Sequence, residues 1–257
     1  MLILLPPSEG KTAPKRGRSL DLARLSAGEL TPHRAAVLDS LTSLCWEADP
    51  ATARRVLCLP PGLADLVALN AGLRGGPTAP AATIYTGVLF AALDLPSLHG
   101  AELRAANSRI AIMSGLFGMV TPTDRICAYR LSADVNLPGI GNVASSWRSA
   151  LDPVFRARIG RGLLIDMRSA AYVKMWPVPP DLQRRCLTVK IWQRGSSGAK
   201  TAVSHHNKAA KGELVRLLAT ALPAPTTTAK LLALCIANGW DVEVPLDHPN
   251  RLDVTVA

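Results

Sequence analysis

The stretch Met113-Ser-Gly-Leu-Phe-Gly-Met-Val-Thr-Pro-Thr-Asp-Arg-Ile-Cys-Ala-Tyr-Arg-Leu131 decides how this chain reads. It is entered from Arg109-Ile-Ala-Ile, a short apolar run of the kind that forms a buried strand. The run stops at Ser114-Gly115, with Gly118 three residues on. Small residues at a strand exit let the backbone turn sharply or let another group approach. Asp124, Arg125, Tyr129 and Arg130 then put charge and a phenol just past that exit. Ligand sites in sheet-based folds collect where strands end and loops begin. The competing reading is an ordinary tight turn followed by a salt-bridged surface loop.

Working outward, the same pattern recurs. Leu2-Ile-Leu-Leu5 reads as a central strand closed by Pro6-Pro7, since proline cannot donate to a ladder. Its exit carries Ser8, Glu9, Gly10 and Lys11, without the spacing of a phosphate-binding P-loop. Residues 82–87 read as a strand ending in Tyr85-Thr86-Gly87. Residues 162–167 contain a buried strand, Leu163-Leu-Ile, that exits into Asp166, Arg168, Ser169 and Tyr172. Several exits loaded with hydroxyl, carboxylate, guanidinium and phenol are harder to explain as accidents than any one alone.

The intervening segments read as helices over 19–25, 31–47, 51–59, 61–73, 88–93, 100–107, 145–159 and 228–238. Thr31-Pro32 suggests a threonine cap followed by proline at the first helical position. The 145–159 helix is expected to break near Pro153. The pair within 51–75 is arranged like a helix-hairpin-helix and carries Arg54, Arg55 and Arg74. Its turn, however, contains Pro60 and Pro61, which remove two amides that a phosphate would use.

Strands are expected over 187–193, 200–203, 240–245 and 251–256, the last two antiparallel, with a hairpin-like turn at 195–198. A helix over 204–219 places Lys208 and Lys211 on one side, with Arg216 further along, above an apolar face. His205-His206 is not read as a metal site, because adjacent histidines on a helix diverge and no carboxylate follows at the right spacing.

The chain has 257 residues, 48% hydrophobic and 19% charged, enough for a substantial core. The formal charge of +10 favours anionic partners, nucleic acid or nucleotides among them. Five scattered cysteines, none in a C-x-x-C pair, argue against a disulfide framework and fit a reducing cytoplasm. No run approaches the roughly 20 apolar residues of a membrane span, and no signal-peptide pattern opens the chain.

Taken in order, these motifs resemble the YaaA family of bacterial peroxide stress proteins. The resemblance rests on Leu2–Leu5 with Pro-Ser after it, Tyr85-Thr86-Gly87, Met113–Gly118 through Tyr129-Arg-Leu131, and Trp147. It also rests on Asp166–Ser169 with Tyr172 and Lys174, and on Lys208-Ala-Ala-Lys-Gly212 with Arg216. The family implies a single α/β domain over 1–257, a mixed sheet flanked by helices with a basic cleft, and a helix-hairpin-helix-like element. It also implies DNA binding and a role in limiting iron-driven oxidative damage. No cofactor or metal is expected.

Two functions follow as expectations. In the first, a cleft binds DNA or a nucleotide-like anion through Lys208, Lys211 and Arg216, with Arg54, Arg55 and Arg74 as outer contacts. In the second, the exits converge as an active site. There Glu9, Lys11, Tyr85, Ser114, Tyr129, Arg130, Asp166, Arg168, Ser169 and Tyr172 act on a nucleoside, a nucleotide or a damaged base. Asp166 or Glu9 would be the general base, and Arg130 and Arg168 the anion clamp.

Overall fold

The strand at the amino terminus, β1 (Leu2–Leu5), is buried along its whole length, as its unbroken apolar run requires. A computed structural model of the chain describes residues 1–194, 200–202 and 206–256. The side chains of 202, 206 and 207 lie outside the described set. The turn expected at 195–198 and His205 therefore fall outside the described residues, as does the side chain of His206.

After β1 come the helices α1 (Thr31–Glu47), α2 (Pro50–Val56) and α3 (Asp65–Ala71). Then follow β2 (Ala79–Pro80), α4 (Ala81–Ile84), α5 (Val88–Leu93), α6 (Gly100–Arg109), β3 (Ile110–Ser114), β4 (Gly118–Val120) and β5 (Arg125–Ile126). The middle of the chain adds β6 (Asn136–Leu137), β7 (Gly141–Asn142), α7 (Val143–Ile159), β8 (Leu164–Asp166), α8 (Ala170–Val173) and α9 (Pro180–Gln183). The last part holds β9 (Cys186–Arg194), β10 (Lys200–Ala202), α10 (His206–Thr220), α11 (Thr228–Ala237), β11 (Asp241–Glu243) and β12 (Arg251–Val256).

The main sheet runs β11-β12-β9-β8-β1-β3-β4, with β10 added to β9. The five strands β12, β9, β8, β1 and β3 are mutually parallel, and β4, β10 and β11 run antiparallel to their neighbours. The sheet is mixed, flanked by helices, and built on one continuous hydrophobic core. Because β1 lies between β3 and β8, their carboxyl ends open side by side: Leu5 pairs with Ile112, and Leu4 with Asp166. Ligands of open α/β sheets bind beyond such carboxyl ends. No helix among the described residues is long and apolar enough to cross a membrane.

Several local expectations are corrected. Residues 82–87 are not a strand: Tyr85 follows the short helix α4 and makes an isolated antiparallel bridge to Lys11. Thr83, Ile84, Tyr85 and Thr86 suggest a strand here, but Ala81 packs fully buried and the segment docks by helical hydrogen bonds instead. The 19–25 helix shrinks to one 3₁₀ turn over Leu22–Arg24, capped by Asp21. Thr31 does not cap α1. It is already helical, and its hydroxyl bonds to the Leu22 carbonyl at 3.4 Å. Residues 132–142, where no strand is expected, contain the β6–β7 pair. The α7 helix is continuous through Pro153, because Trp147, Leu151, Val154 and Phe155 form a buried stripe that outweighs the one lost backbone bond.

Candidate functional site

The site forms where the β1, β3 and β8 exits meet. Beyond Pro6-Pro7 the chain is fastened to the segment after α4. Thr12 N donates to Ile84 O at 2.9 Å, and Thr86 N donates to the Ser8 hydroxyl at 3.0 Å. The Ser8 hydroxyl itself donates to Gly10 O at 2.6 Å. Together with the Lys11–Tyr85 bridge, these bonds fix Lys11 in place.

Its ammonium donates to Ser8 O at 2.8 Å and lies 4.3 Å from the centre of the Tyr129 ring and 5.5 Å from that of Tyr85. Burial lowers its pKa to about 7, helped by repulsion from Arg130 and opposed by attraction to Glu9. Glu9 does not neutralise Lys11 directly, since its carboxylate accepts from the Arg130 guanidinium at 2.9 Å.

The β3 exit supplies the floor. Ser114, the last residue of β3, sits 2.7 Å from the Tyr129 hydroxyl, which sits 3.0 Å from that of Tyr85. The Ser114 hydroxyl also accepts from Phe117 N at 2.9 Å, which closes the turn. Burial raises the pKa of both phenols, so the chain of hydroxyls is neutral. Gly118 is required in this turn: its φ is +72°, and a Cβ there would lie 2.7 Å from the Trp147 ring. Trp147 in turn donates to Gly115 O at 2.8 Å.

At the β8 exit, Asp166 and Arg168 face each other. Arg168 donates through Nε at 2.9 Å and through its terminal nitrogen at 2.7 Å, and its backbone N donates at 3.0 Å. Its remaining donors reach Trp176 O at 2.8 Å and Tyr172 O at 3.4 Å. The pair is buried, and its hydrogen-bonding capacity is spent inside the protein. It shapes the exit and holds the start of α8, leaving Ser169 exposed and Tyr172 half-buried. Burial raises the Tyr172 pKa.

Three cavities share these groups. One, of about 470 Å³, has Glu9, Lys11, Tyr129 and Arg130 on one side and Leu63, Leu66 and Leu69 on the other. A smaller one, about 170 Å³, has Glu9, Lys11, Arg130, Asp134, Ser169 and Tyr172. A third, about 500 Å³, adds Thr86, Phe90 and Lys208 to Ser169 and Tyr172. Of the residues proposed from sequence, Glu9, Lys11, Tyr129, Arg130, Ser169, Tyr172 and Lys208 each line at least one of the three.

Lys211, Arg216, Arg54, Arg55, Arg74, Asp124 and Arg125 do not line these three cavities. Burial lowers the Lys211 pKa, with Asp166 pulling the other way. Arg216 ties α10 to the end of α5, donating to Leu93 O at 2.9 Å, Asp94 O at 2.7 Å and the Ser97 hydroxyl at 2.8 Å. Arg54 and Arg55 bond within their own segment, to Leu59 O and the Thr52 hydroxyl. Arg74 pairs with Asp39. The charge cluster after β3 also divides. Asp124 is buried, accepting from Ser26 N at 2.8 Å and Thr121 N at 2.7 Å. Arg125 donates to Thr78 O at 2.6 Å, away from Lys11.

Two contributions were missed. Asn70 of α3 clamps the Arg130 backbone, donating to its carbonyl at 2.8 Å and accepting from its N–H at 2.9 Å. Its signal was a polar residue three positions from Val67 on a buried helix face, which must find a partner. The leucine wall of 63–69 is the other, and the 51–75 helix pair therefore meets this site through α3 and the turn before it.

A family profile described as "Peroxide stress protein YaaA" matches residues 1–241. A UPF0246 protein of Streptomyces coelicolor is 42% identical over 260 residues, covering 100% of this chain and 98% of its own. A UPF0246 protein of Corynebacterium efficiens is 37% identical over 266 residues, covering both chains fully at 100%. One from Methylibium petroleiphilum is 27% identical over 86% of this chain and 88% of its own.

Proposed function

The chain belongs to the YaaA (UPF0246) family of peroxide stress proteins, and on that premise we infer that it acts in the peroxide response by holding a nucleotide-like anion at the exits of β1, β3 and β8. The observation that carries this reading is the pairing of Lys11 and Arg130 on shared cavity walls of about 470 and 170 Å³. Arg130 offers a planar, forked donor suited to carboxylate or phosphate. Ser169 and Tyr172 add hydroxyls, and Lys208 adds a cation at the edge of the adjoining space. The leucine side accepts an apolar or planar body.

A longer anion is the second reading, and the net charge of +10 favours it. DNA lying across this face would meet Lys208 and Lys211 through its phosphates, and its affinity would fall steeply with salt. Turnover of a bound nucleoside or nucleotide at the same site remains the enzymatic alternative, with Lys11 rather than the self-paired Asp166 as its reactive group.

The test is a calorimetric titration with nucleoside mono- and diphosphates, beside fluorescence anisotropy of labelled duplex DNA across a salt series. Saturable nucleotide binding that Arg130→Gln weakens about 10-fold supports the pocket reading. DNA binding whose salt slope falls by about 1 to 2 in Lys208→Ala/Lys211→Ala supports the second reading. A folded protein that binds neither ligand at low salt overturns both. Peroxide survival of a deletion strain carrying wild type or Arg130→Gln tests the link to stress.

A further inference from the structure

Lys11 has surroundings unlike those of a lysine kept for its charge. It has no carboxylate of its own, because Glu9 is engaged by Arg130. Its one hydrogen bond in the described structure is to a backbone carbonyl, that of Ser8. Two phenol rings face it, and the hydroxyls of those rings are turned to each other and to Ser114. The segment bearing it is zippered to residues 84–86, so the amine is held rather than swinging in solvent.

Lys11 also stands at a junction. It lines both the cavity with the leucine wall and the smaller polar cavity that leads to Ser169 and Tyr172, and Arg130 lines both with it. A ligand seated there would set an apolar body against Leu63, Leu66 and Leu69, with its middle at the Lys11 amine and its anionic group displacing the exposed Glu9 carboxylate from Arg130.

We propose that Lys11 is a covalent nucleophile that forms an imine with an anionic carbonyl compound, a 2-oxo acid or a carbonyl-bearing phosphate with an apolar tail. The inference deepens the anion-binding reading and rests on it. The amine lone pair adds to the carbonyl carbon, and the carbonyl π pair moves to oxygen, which takes up a proton. Loss of water from this carbinolamine, with one proton leaving nitrogen, gives the C=N bond. The balance is one amine and one carbonyl giving one imine and one water, with no change of oxidation state. Burial and the Arg130 charge keep a substantial fraction of Lys11 unprotonated at neutral pH, as a nucleophilic amine requires. Arg130 would draw the anion in and orient its carbonyl.

The test uses the intact chain with 4-methyl-2-oxopentanoate and cyanoborohydride at neutral pH, read by intact mass and peptide mapping. The expected result is one reduced adduct per chain, on Lys11, absent from a folded Lys11→Arg variant. Arg130→Gln should slow labelling by the acid about 10-fold more than labelling by neutral 3-methylbutanal, because both lose the Arg130 charge that keeps Lys11 unprotonated but only the acid loses its clamp. Adducts spread over Lys15, Lys174, Lys208 and Lys230 at rates similar to that of Lys11 would overturn the proposal. A parallel calorimetric titration of the same acid without reductant separates the two readings. Saturable binding without an adduct overturns the imine and leaves the anion site standing, whereas neither binding nor an adduct removes both.

Discussion

Asn70 and Arg130 are joined by a two-way clamp: the amide of Asn70 donates to the Arg130 carbonyl at 2.8 Å and accepts from its N–H at 2.9 Å. The contact lets a helix distant in sequence set the backbone of a site residue. Replacing Asn70 with Ala leaves both backbone groups without partners inside the protein. The expected cost is about 1–3 kcal/mol in urea unfolding, with weaker anion binding by calorimetry. Asn70→Asp keeps the acceptor and loses the donor, so it should retain part of both.

The buried Asp166–Arg168 pair separates a structural role from a catalytic one. Asp166→Asn leaves a buried guanidinium facing a neutral amide, and chemical denaturation should show a loss of about 3–5 kcal/mol. Adding Arg168→Met removes the orphaned charge and should recover part of that loss. If Asp166→Asn instead unfolds like wild type while abolishing ligand turnover, Asp166 is a general base and not a brace.

The hydroxyl chain predicts an order of effects. Tyr129→Phe removes the middle hydroxyl, taking the partner of Tyr85 and leaving Ser114 only its bond from Phe117 N, whereas Tyr85→Phe leaves Tyr129 bonded to Ser114. Tyr129→Phe should therefore be the more destabilising, by about 1–3 kcal/mol. Thermal unfolding of the two variants side by side checks the order, and equal losses would mean that the chain does not act as drawn.

Lys11 makes a pH prediction whose sign follows from its lowered pKa. Unfolded, its amine holds a proton up to about 10.5, whereas in the folded protein it gives the proton up near 7. Between these values the unfolded chain binds more protons, so stability rises with pH, by at most about 1.4 kcal/mol per unit. Below 7 both states are protonated and the slope vanishes. Urea midpoints at pH 6, 7, 8 and 9 should show wild type gaining on Lys11→Met above pH 7. A flat difference would mean that Glu9 and the two phenol rings hold the ammonium charged.

Much of this was legible in the sequence. The apolar runs ending in Ser114-Gly115, Pro6-Pro7 and Asp166 announce buried strands with polar exits, and the residues just past them meet in space. Their partnerships were not legible. Nothing at 166–168 says that a carboxylate and a guanidinium two residues apart will satisfy each other instead of a ligand. Asp124 and Arg130 lie six positions apart in the quoted stretch, yet one braces Ser26 and the other enters the site, because the chain turns between them. Tyr85 shows the opposite failure. It is expected at a strand end and instead follows a helix, since a β-like composition is overridden by helical docking.

The α3 helix has only seven residues, Asp65–Ala71, too few to persist without packing against the rest of the molecule. Its leucines face the cavity and its asparagine grips Arg130. Occupancy of the pocket should therefore register as slowed amide deuterium exchange across residues 65–71. Those amides would report a filled site even for a ligand that gives no optical or catalytic signal.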